Sequence, residues 1–267
     1  MVTKAAKPFW KKRWFVPTIM YGLLVVAALA LLFLADWATI QRNFFKEDIA
    51  RRMFPEVLTI GAKNTIIYTA VAFAVGFVLA LGLALMKLSP IGPYRWFATS
   101  YIELFRGLPA LVTIILVAFG LPLAFGWRIP FGTAGKAAFG LGLVAAAYMA
   151  ETIRAGIQAV PRGQMEAARS LGMSAPTAMT YIILPQAFRI IIPPLTNELV
   201  LLIKDTSLLF VVGTTPASKE LTKFGRDFMN LNANATPLTV IALVYLAITL
   251  PMTSLVRQLE KKAGKGR

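Results

Sequence analysis

The chain has 267 residues, of which 57% are hydrophobic and only 15% are charged, and its mean hydropathy is +0.67. In soluble domains roughly a quarter of all residues are charged, so this composition indicates an integral membrane protein. The sequence contains no Cys, which excludes disulfides and thiolate metal sites, and no His, the commonest general base and metal ligand. We therefore expect neither a catalytic residue nor a metal site in this chain.

The formal net charge of +16 comes from cations that concentrate at the termini and in short loops. This distribution is typical of charges that orient membrane helices, and it argues against a nucleic-acid-binding protein. If both termini lie on one side of the membrane, that side carries sixteen Lys and Arg residues in its segments and the other side carries nine. The positive-inside rule then predicts that both termini are cytoplasmic.

Long apolar runs predict six membrane helices. The first run, 16–35, is uncharged and long enough to cross about 30 Å of hydrocarbon, so we expect a retained helix and not a cleaved signal peptide. The polar stretch 41–57, QRNFFKEDIARRMFPEV, predicts an interfacial amphipathic helix. The other five predicted helices contain residues 64–86, 107–127 (in a helix that begins near Arg95), 137–150, 190–203 and 237–256.

Two of these helices carry polar residues at membrane depth. A bilayer tolerates such groups only where protein or a water-filled cavity receives them, so we expect the helices at 137–150 and 190–203 to face inward. The helices at 16–35 and 237–256 can face lipid. The sequence shows no internal repeat and no linker, which predicts one membrane domain.

The segment Glu166–Ala187, EAARSLGMSAPTAMTYIILPQA, is amphipathic and is predicted to lie in a cytoplasmic loop, 158–189. Gly172 can end a short helix in a left-handed cap, Ser174 can begin the next turn, and Pro185 marks the return to the membrane. From the pattern alone, this helix could equally lie on the lipid headgroups. Helical spacing predicts one packed face made of Met165, Ala168, Leu171 and Gly172.

The same segment resembles the EAA motif of ABC importer permeases: Glu-Ala-Ala, three residues, Gly, nine residues, then Ile-x-Leu-Pro. The matching positions are Glu166, Ala167, Ala168, Gly172, Ile182, Leu184 and Pro185. The stretches YIELFRGLPALV, YMAETIRAGIQAVPRGQMEAARSLG and ILPQAFRIIIPPLTNELVLLIKDTSL resemble the polar-amino-acid subfamily, which serves histidine, arginine, glutamine, glutamate and related substrates. The resemblance covers about residues 58–258, and we call residues 158–189 the EAA loop.

The resemblance implies an all-α fold with the five-helix core of a type I ABC importer and one extra N-terminal helix. It implies three regions: 1–57 with the tail, the extra helix and the interfacial helix, 58–258 as the permease domain, and 259–267 as a basic cytoplasmic tail. In that family the EAA loop forms a coupling helix that docks in a groove of a cytosolic ATPase. The residues implied in this coupling are Arg162, Glu166, Ala167, Ala168, Arg169 and Gly172.

The chain lacks the G-x-x-x-x-G-K-[ST] motif that cradles nucleotide phosphates, so it is predicted to need a separate ATPase. The resemblance implies two copies of that ATPase, which bind the ATP and Mg; this chain is expected to bind no cofactor. It also implies a second permease subunit, identical or different, and an extracytoplasmic substrate-binding protein. The expected location is the inner, cytoplasmic membrane of a bacterium, with several passes.

Polar residues at membrane depth are the candidates for a substrate pathway, because an amino acid needs both charges and hydrogen-bonding groups. Asn197 and Glu198 follow a Pro-Pro pair, which predicts a helix break that frees carbonyls. Lys204 and Asp205 are favoured as an internal ion pair between helices or protomers. The full candidate set is Glu103, Arg106, Tyr148, Glu151, Thr152, Asn197, Glu198, Lys204 and Asp205.

Two of the candidate groups have an equally simple structural interpretation. Glu103 and Arg106 are spaced i, i+3 and can form a stabilising pair on one helix face. Glu151 and Arg154 have the same spacing. For both pairs the sequence leaves open whether the charges serve structure or substrate.

The expected function is therefore the membrane-spanning subunit of an ATP-driven importer of a polar amino acid. The resemblance favours glutamate or glutamine as the cargo. The alternative is an ion-coupled secondary transporter or a channel, which would use the acids at membrane depth. The EAA loop has no evident role in that alternative.

Overall fold

A computed structural model describes residues 15–264, and every regular element in this range is helical. The predicted all-α class is confirmed. Of the basic N-terminal segment 1–15 and the basic tail predicted at 259–267, residues 1–14 and 265–267 lie outside the described residues. The chain divides into two compact units, with the boundary between Lys46 and Glu47.

The first unit contributes the membrane-length helix α1 (Phe15–Leu34) and the short amphipathic helix α2 (Trp37–Phe44). The segment Pro17–Leu34 has a mean hydropathy of 2.3 and no buried residue, as expected for a helix that faces lipid. Asp36 caps α2, because its carboxylate accepts the Thr39 N–H at 2.9 Å.

The second unit contains the remaining helices, several of which run into one another through short π or 3₁₀ turns. They are α3 (Glu47–Met53), α4 (Lys63–Leu88), α5 (Gly92–Gly107), α6 (Ala110–Ile115), α7 (Leu121–Phe125), α8 (Gly132–Gln158), α9 (Arg162–Ser170), α10 (Ala175–Ala178), α11 (Leu184–Asp205), α12 (Leu221–Asn232) and α13 (Thr236–Gly264).

The described residues contain five helices long and apolar enough to span a membrane, or six if the α5–α7 region is counted as one bent span. A single straight helix from Arg95 through residue 127 is wrong, because the chain bends by 106° between Gly107 and Ala110. The cause is local: Pro109 has no N–H and forces the preceding Leu108 into an extended conformation (ψ 141°).

The single interfacial helix predicted at 41–57 is also wrong, because the segment forms two helices, α2 and α3, interrupted at Phe45 and Lys46. Only α2 belongs to the first unit. In α3, Met53 is fully buried in an apolar cluster with Leu221 and Phe224. The buried residues of α3 are Ile49 and Met53, and its charged residues are exposed, so α3 keeps the amphipathic pattern of the predicted segment.

Helix α8 is the centre of the second unit, with 72% of its membrane-length window buried. Small residues let neighbouring helix backbones approach it closely. A Cβ added at Gly76 of α4 would lie 3.0 Å from the Gly142 carbonyl oxygen, and one added at Gly156 would lie 2.2 Å from Ile191 Cγ1 of α11. The prediction that 137–150 faces inward is confirmed, whereas only 28% of the window in Ala175–Val211 is buried within this chain.

Glu220 is a buried acid that the sequence patterns did not single out. Its side chain is fully buried at the start of α12, where its carboxylate accepts the N–H groups of Thr222 (2.5 Å) and Lys223 (2.6 Å) and the hydroxyl of Tyr245 (3.3 Å). Burial nevertheless raises the pKa of the Glu220 carboxyl to about 7. This acid therefore titrates near neutral pH.

We expect Gly76→Leu to lower the thermal unfolding midpoint of the protein in detergent, by an overpacking cost of about 1–3 kcal/mol. The added side chain would meet a backbone carbonyl of α8, which cannot move aside as a flexible side chain can. Gly82→Leu is the matched control, because it lies on the same helix with nothing within 4 Å of an added Cβ. Equal unfolding midpoints for the two variants would contradict the close approach of α4 to α8 at Gly76.

The stability of the protein should fall as the pH rises from about 4.5 to about 7. The folded-state pKa of Glu220 is raised above the ordinary value of 4.5, so the folded state retains a proton that the unfolded chain has already released. The free energy of unfolding therefore falls by about 3 kcal/mol over this pH range. Thermal unfolding across this range should show the fall in the wild type and in Glu56→Gln, an exposed control, and a flatter profile in Glu220→Gln.

Candidate functional site

A cavity of about 290 Å³ lies where the bend after α5 meets α8 and α11. Its volume is close to the lower end, about 300 Å³, of sites that bind small molecules. Three lining residues carry polar groups: Tyr148, Glu198 and Asp205. The apolar part of the lining consists of Leu108, Ala110, Leu141, Val144, Ala145, Leu201 and Leu202.

The two carboxylates of the cavity share one face of α11. They are seven residues apart, which is two helical turns or about 10 Å along the axis. Within residues 15–264, neither Glu198 nor Asp205 takes part in an ion pair. The cavity therefore presents two acidic groups that are available to a cationic or ammonium-bearing ligand.

The predicted break before these acids does not occur. Pro193 and Pro194 lie inside α11, which continues from Leu184 to Asp205. The helix forms part of an uninterrupted helical run, Ala175–Val211, that is 37 residues long. One continuous helical run therefore connects both acids to the EAA loop.

The remaining candidates lie outside the cavity lining, although Arg106 is close to it. The Arg106 guanidinium carbon is 5.5 Å from the centre of the Tyr148 ring, a cation–π distance. Arg106 thereby brings a positive charge to the edge of the cavity. In the described part of the chain, no ion pair joins Arg106 to the exposed Glu103, so their i, i+3 pairing is not observed.

Glu151 forms an ion pair with Arg154 on the same helix, as its spacing allows, and a second one with Lys87 of α4 at 3.0 Å. This cluster joins the ends of α4 and α8 near the EAA loop. Lys87 was missed because its partner is 64 positions away in the sequence. The cluster satisfies Glu151 within the protein, which favours a structural role for this acid.

Thr152, Asn197 and Lys204 do not line the cavity. Among the described residues, neither Lys204 nor Asp205 takes part in an ion pair, so the predicted pairing between helices is not observed. Lys204 is exposed while Asp205 lines the cavity, and a pairing between protomers stays a prediction. Neighbouring residues on a helix point about 100° apart, which separates their side chains. Of nine sequence candidates, the structure brings three into one cavity.

The EAA loop has a well-defined turn after α9. Gly172 has φ +83°, the left-handed conformation predicted for it, and its N–H donates to the Arg169 carbonyl at 3.0 Å. The Met173 N–H donates to the Ala168 carbonyl at 3.1 Å, and the Arg169 guanidinium donates to the Met173 carbonyl at 2.8 Å. These bonds satisfy carbonyl groups at the end of α9 and fix the turn.

The packed face of α9 is smaller than predicted. Ala168 is buried and Met165 is half-buried, but Leu171 is 84% exposed, since the glycine cap begins there and turns the chain away. The sequence missed this exposed apolar side chain. The other implied coupling residues are exposed and available to a partner: Arg162, Glu166, Ala167, Arg169 and Gly172.

Beyond the turn, Ser174 caps α10 as predicted, because its hydroxyl oxygen accepts the Thr177 N–H at 3.3 Å. Whether Pro185 marks the return to the membrane stays a prediction. It lies in the first turn of α11, within the helical run that starts at Ala175. The return is therefore continuous with the loop.

Comparison with known proteins adds an independent line of evidence. Residues 76–265 match the family model described as binding-protein-dependent transport system inner membrane component. A probable glutamine ABC transporter permease protein of Bacillus subtilis (strain 168) is 39% identical over 213 residues, which cover 77% of this chain and 92% of the relative. An arginine transport system permease protein of the same organism is 35% identical over 202 residues, covering 76% and 90%.

The fold is likewise similar to solved structures. A crystal structure of an amino acid ABC transporter with histidines matches with a TM-score of 0.72 and 37% identity, over 79% of this chain and 95% of that one. An inward-facing structure of the methionine ABC transporter MetNI matches with a TM-score of 0.66 over 79% and 98%. At 20% identity it supports the fold alone.

Gly172→Val should loosen the turn after α9, because a β-branched residue in the left-handed region costs about 1–2 kcal/mol. The amide protons of residues 172 and 173, which donate to the end of α9, should exchange faster with deuterium. Gly163→Val is the control, since Gly163 has helical backbone angles and open space around it. Equal exchange rates in both variants would contradict the observed cap.

Proposed function

The chain belongs to the family of binding-protein-dependent transport system inner membrane components, and from this membership we propose the following function. It is the translocation subunit of an ATP-driven importer that carries a polar amino acid across a bacterial cytoplasmic membrane by alternating access. The observation that carries this proposal is the continuous helical run Ala175–Val211. This run connects the EAA loop to the two acids of the cavity.

The EAA loop is the proposed contact for a separate ATPase subunit, present in two copies, which binds the ATP and Mg. Its exposed residues offer one acid, Glu166, between two arginines, Arg162 and Arg169, and an apolar tip, Leu171. The glycine cap holds these groups in a fixed turn. A push on this loop is transmitted along α11 because the helical run Ala175–Val211 is continuous.

The cavity is the proposed contact for the cargo. Glu198 and Asp205 attract the ammonium group of an amino acid, while Arg106 at the edge can attract its carboxylate. The resemblance favours glutamate or glutamine, and the acidic lining supports the neutral glutamine over glutamate, whose second carboxylate would be repelled. An apolar lining around few polar groups is typical of sites that bind small ligands.

The proposed assembly contains a second permease subunit, which covers parts of α11 that are exposed in this chain, and an extracytoplasmic binding protein that delivers cargo. Both termini are proposed to be cytoplasmic, on the side of the EAA loop. This orientation is supported by the excess of Lys and Arg in the segments on that side.

Glu166→Lys should reduce both the amount of ATPase subunit that copurifies with the permease and the rate of ATP-driven uptake. The substitution replaces the acid between Arg162 and Arg169 by a cation and so reverses the local charge pattern. Glu56→Lys is the control, since Glu56 is also exposed but lies outside the loop. Normal copurification and uptake in Glu166→Lys would contradict the proposed contact.

Glu198→Gln and Asp205→Asn should each raise the KM for uptake by about tenfold or more, the value of one lost hydrogen bond to a charged group. Both replacements keep the shape of the side chain and remove its charge. Glu103→Gln, at an exposed site outside the cavity, should leave KM unchanged. The same KM in all four proteins would show that cargo does not contact the cavity acids.

A further inference from the structure

A second concave site lies at the EAA-loop end of the molecule, between the start of α11 and the end of α13. It is a groove of about 330 Å³ lined by Arg189, Ile192 and Pro193 from α11 and by Leu259 and Lys262 from α13. It shares no residue with the cavity that holds Glu198 and Asp205. The proposed transport path does not use it.

Helical periodicity explains the composition of this groove. Arg189, Ile192 and Pro193 follow the spacing i, i+3, i+4, and Leu259 and Lys262 follow i, i+3, so each helix presents one cation beside apolar side chains. Arg189 and Lys262 are both exposed, while Pro193 is buried and Leu259 is half-buried. The groove therefore has an apolar floor and one positive charge on each helix.

The positive charge of the groove is not compensated by an acid among the described residues. Neither Arg189 nor Lys262 takes part in an ion pair among residues 15–264. The acid nearest in sequence, Glu260, lies one position after Leu259 and points about 100° away around α13. An anionic ligand with an apolar portion would complement both the charges and the floor.

We propose that this groove binds an anionic phospholipid, with its phosphate between Arg189 and Lys262 and an acyl chain along Ile192, Pro193 and Leu259. A phosphate can accept charge-assisted hydrogen bonds from both cations. Basic pockets between membrane helices on the cytoplasmic side are suited to anionic headgroups. The assignment to the cytoplasmic leaflet rests on the proposed function, which places the EAA loop in the cytoplasm.

The position of the groove favours lipid over a soluble phosphate compound or a protein. Both helices that form it continue into membrane-length apolar segments, so acyl chains are present beside its floor. A soluble phosphate would leave Ile192, which is 45% exposed, in contact with water. A protein partner bound at this groove would have to supply acidic side chains to pair with the two cations. Lipid phosphates are already abundant at the level of the headgroups.

Binding can be measured on the full-length protein, purified in neutral detergent together with its copurifying subunits. Native mass spectrometry counts bound lipid during titration with phosphatidylglycerol or with phosphatidylcholine of the same acyl chains. We expect phosphatidylglycerol to bind with clear preference. The double variant Arg189→Gln/Lys262→Gln should weaken that binding by about tenfold or more.

The matched control is Arg257→Gln/Lys261→Gln, which removes the same charge from the same end of α13. On a helical wheel these two residues lie about 150° away from the Leu259–Lys262 face. This control should change phosphatidylglycerol binding by less than about twofold. An equal loss in both double variants would show a general charge effect and overturn the site.

Other outcomes also decide the proposal. Equal binding of phosphatidylcholine, or equally tight binding of glycerol 3-phosphate without acyl chains, would overturn a lipid site. Binding to the isolated chain but not to the assembled complex would show that a partner subunit covers the groove, and would overturn a lipid site in the assembled protein. Both double variants must unfold at the wild-type temperature and retain their copurifying subunits, so that a loss of binding is not a loss of fold.

The experiment separates this inference from the proposed function. Lipid binding is counted without ATP or cargo, so loss of the lipid preference with normal import would overturn the groove alone. Normal lipid preference in a protein that does not import would overturn the proposed function alone. Labelling of the groove end from the opposite side of the membrane would contradict the leaflet assignment.

Discussion

The close packing of α8 against α4 and α11 is the constraint on which the cavity depends. Glycines at the contacts allow this packing: Gly76 of α4 meets Gly142, and Gly156 meets Ile191 of α11 at distances that leave no room for a Cβ. In a bilayer, where apolar burial between helices contributes little, such tight contacts are a main source of association. The Lys87–Glu151 ion pair adds a polar contact between α4 and α8.

Two walls of the cavity come from α8, which is buried in the second unit, and from α11, which is continuous with the EAA loop. The α8 wall contributes Tyr148 and the apolar residues Leu141, Val144 and Ala145. The α11 wall contributes Glu198 and Asp205, and it belongs to the helical run that begins in the EAA loop. A displacement of the loop relative to α8 would therefore change the spacing between the walls, which is the geometric requirement for alternating access.

Much of the architecture could be predicted from the sequence because a bilayer imposes simple rules. Apolar length identified the membrane helices, and the φ of Gly172 follows from the scarcity of other residues that tolerate a left-handed cap. The 106° bend was missed because hydropathy averages over Leu108 and Pro109 and carries no directional information. Conversely, Pro193 and Pro194 suggested a break that the surrounding helix does not show.

The site was less predictable than the fold, because contacts between distant residues have no local signature. Nine polar residues met the same criterion of membrane depth, yet only three converge on the cavity. Glu151 is paired instead with Lys87, 64 positions away, and Lys204 points away from Asp205. Glu220 escaped notice because its burial depends on how α12 packs against α13, and Tyr245 shares its hydrogen-bond network.

The source of energy is the most direct test of the account. The chain would be reconstituted into liposomes with its ATPase and binding protein, and amino acid uptake measured with ATP and with imposed ion or proton gradients. We predict uptake that requires ATP on the side of the EAA loop and persists when ionophores dissipate all gradients. Uptake that continues without ATP and stops when an ionophore is added would contradict it and assign the cavity acids to an ion-coupled transporter.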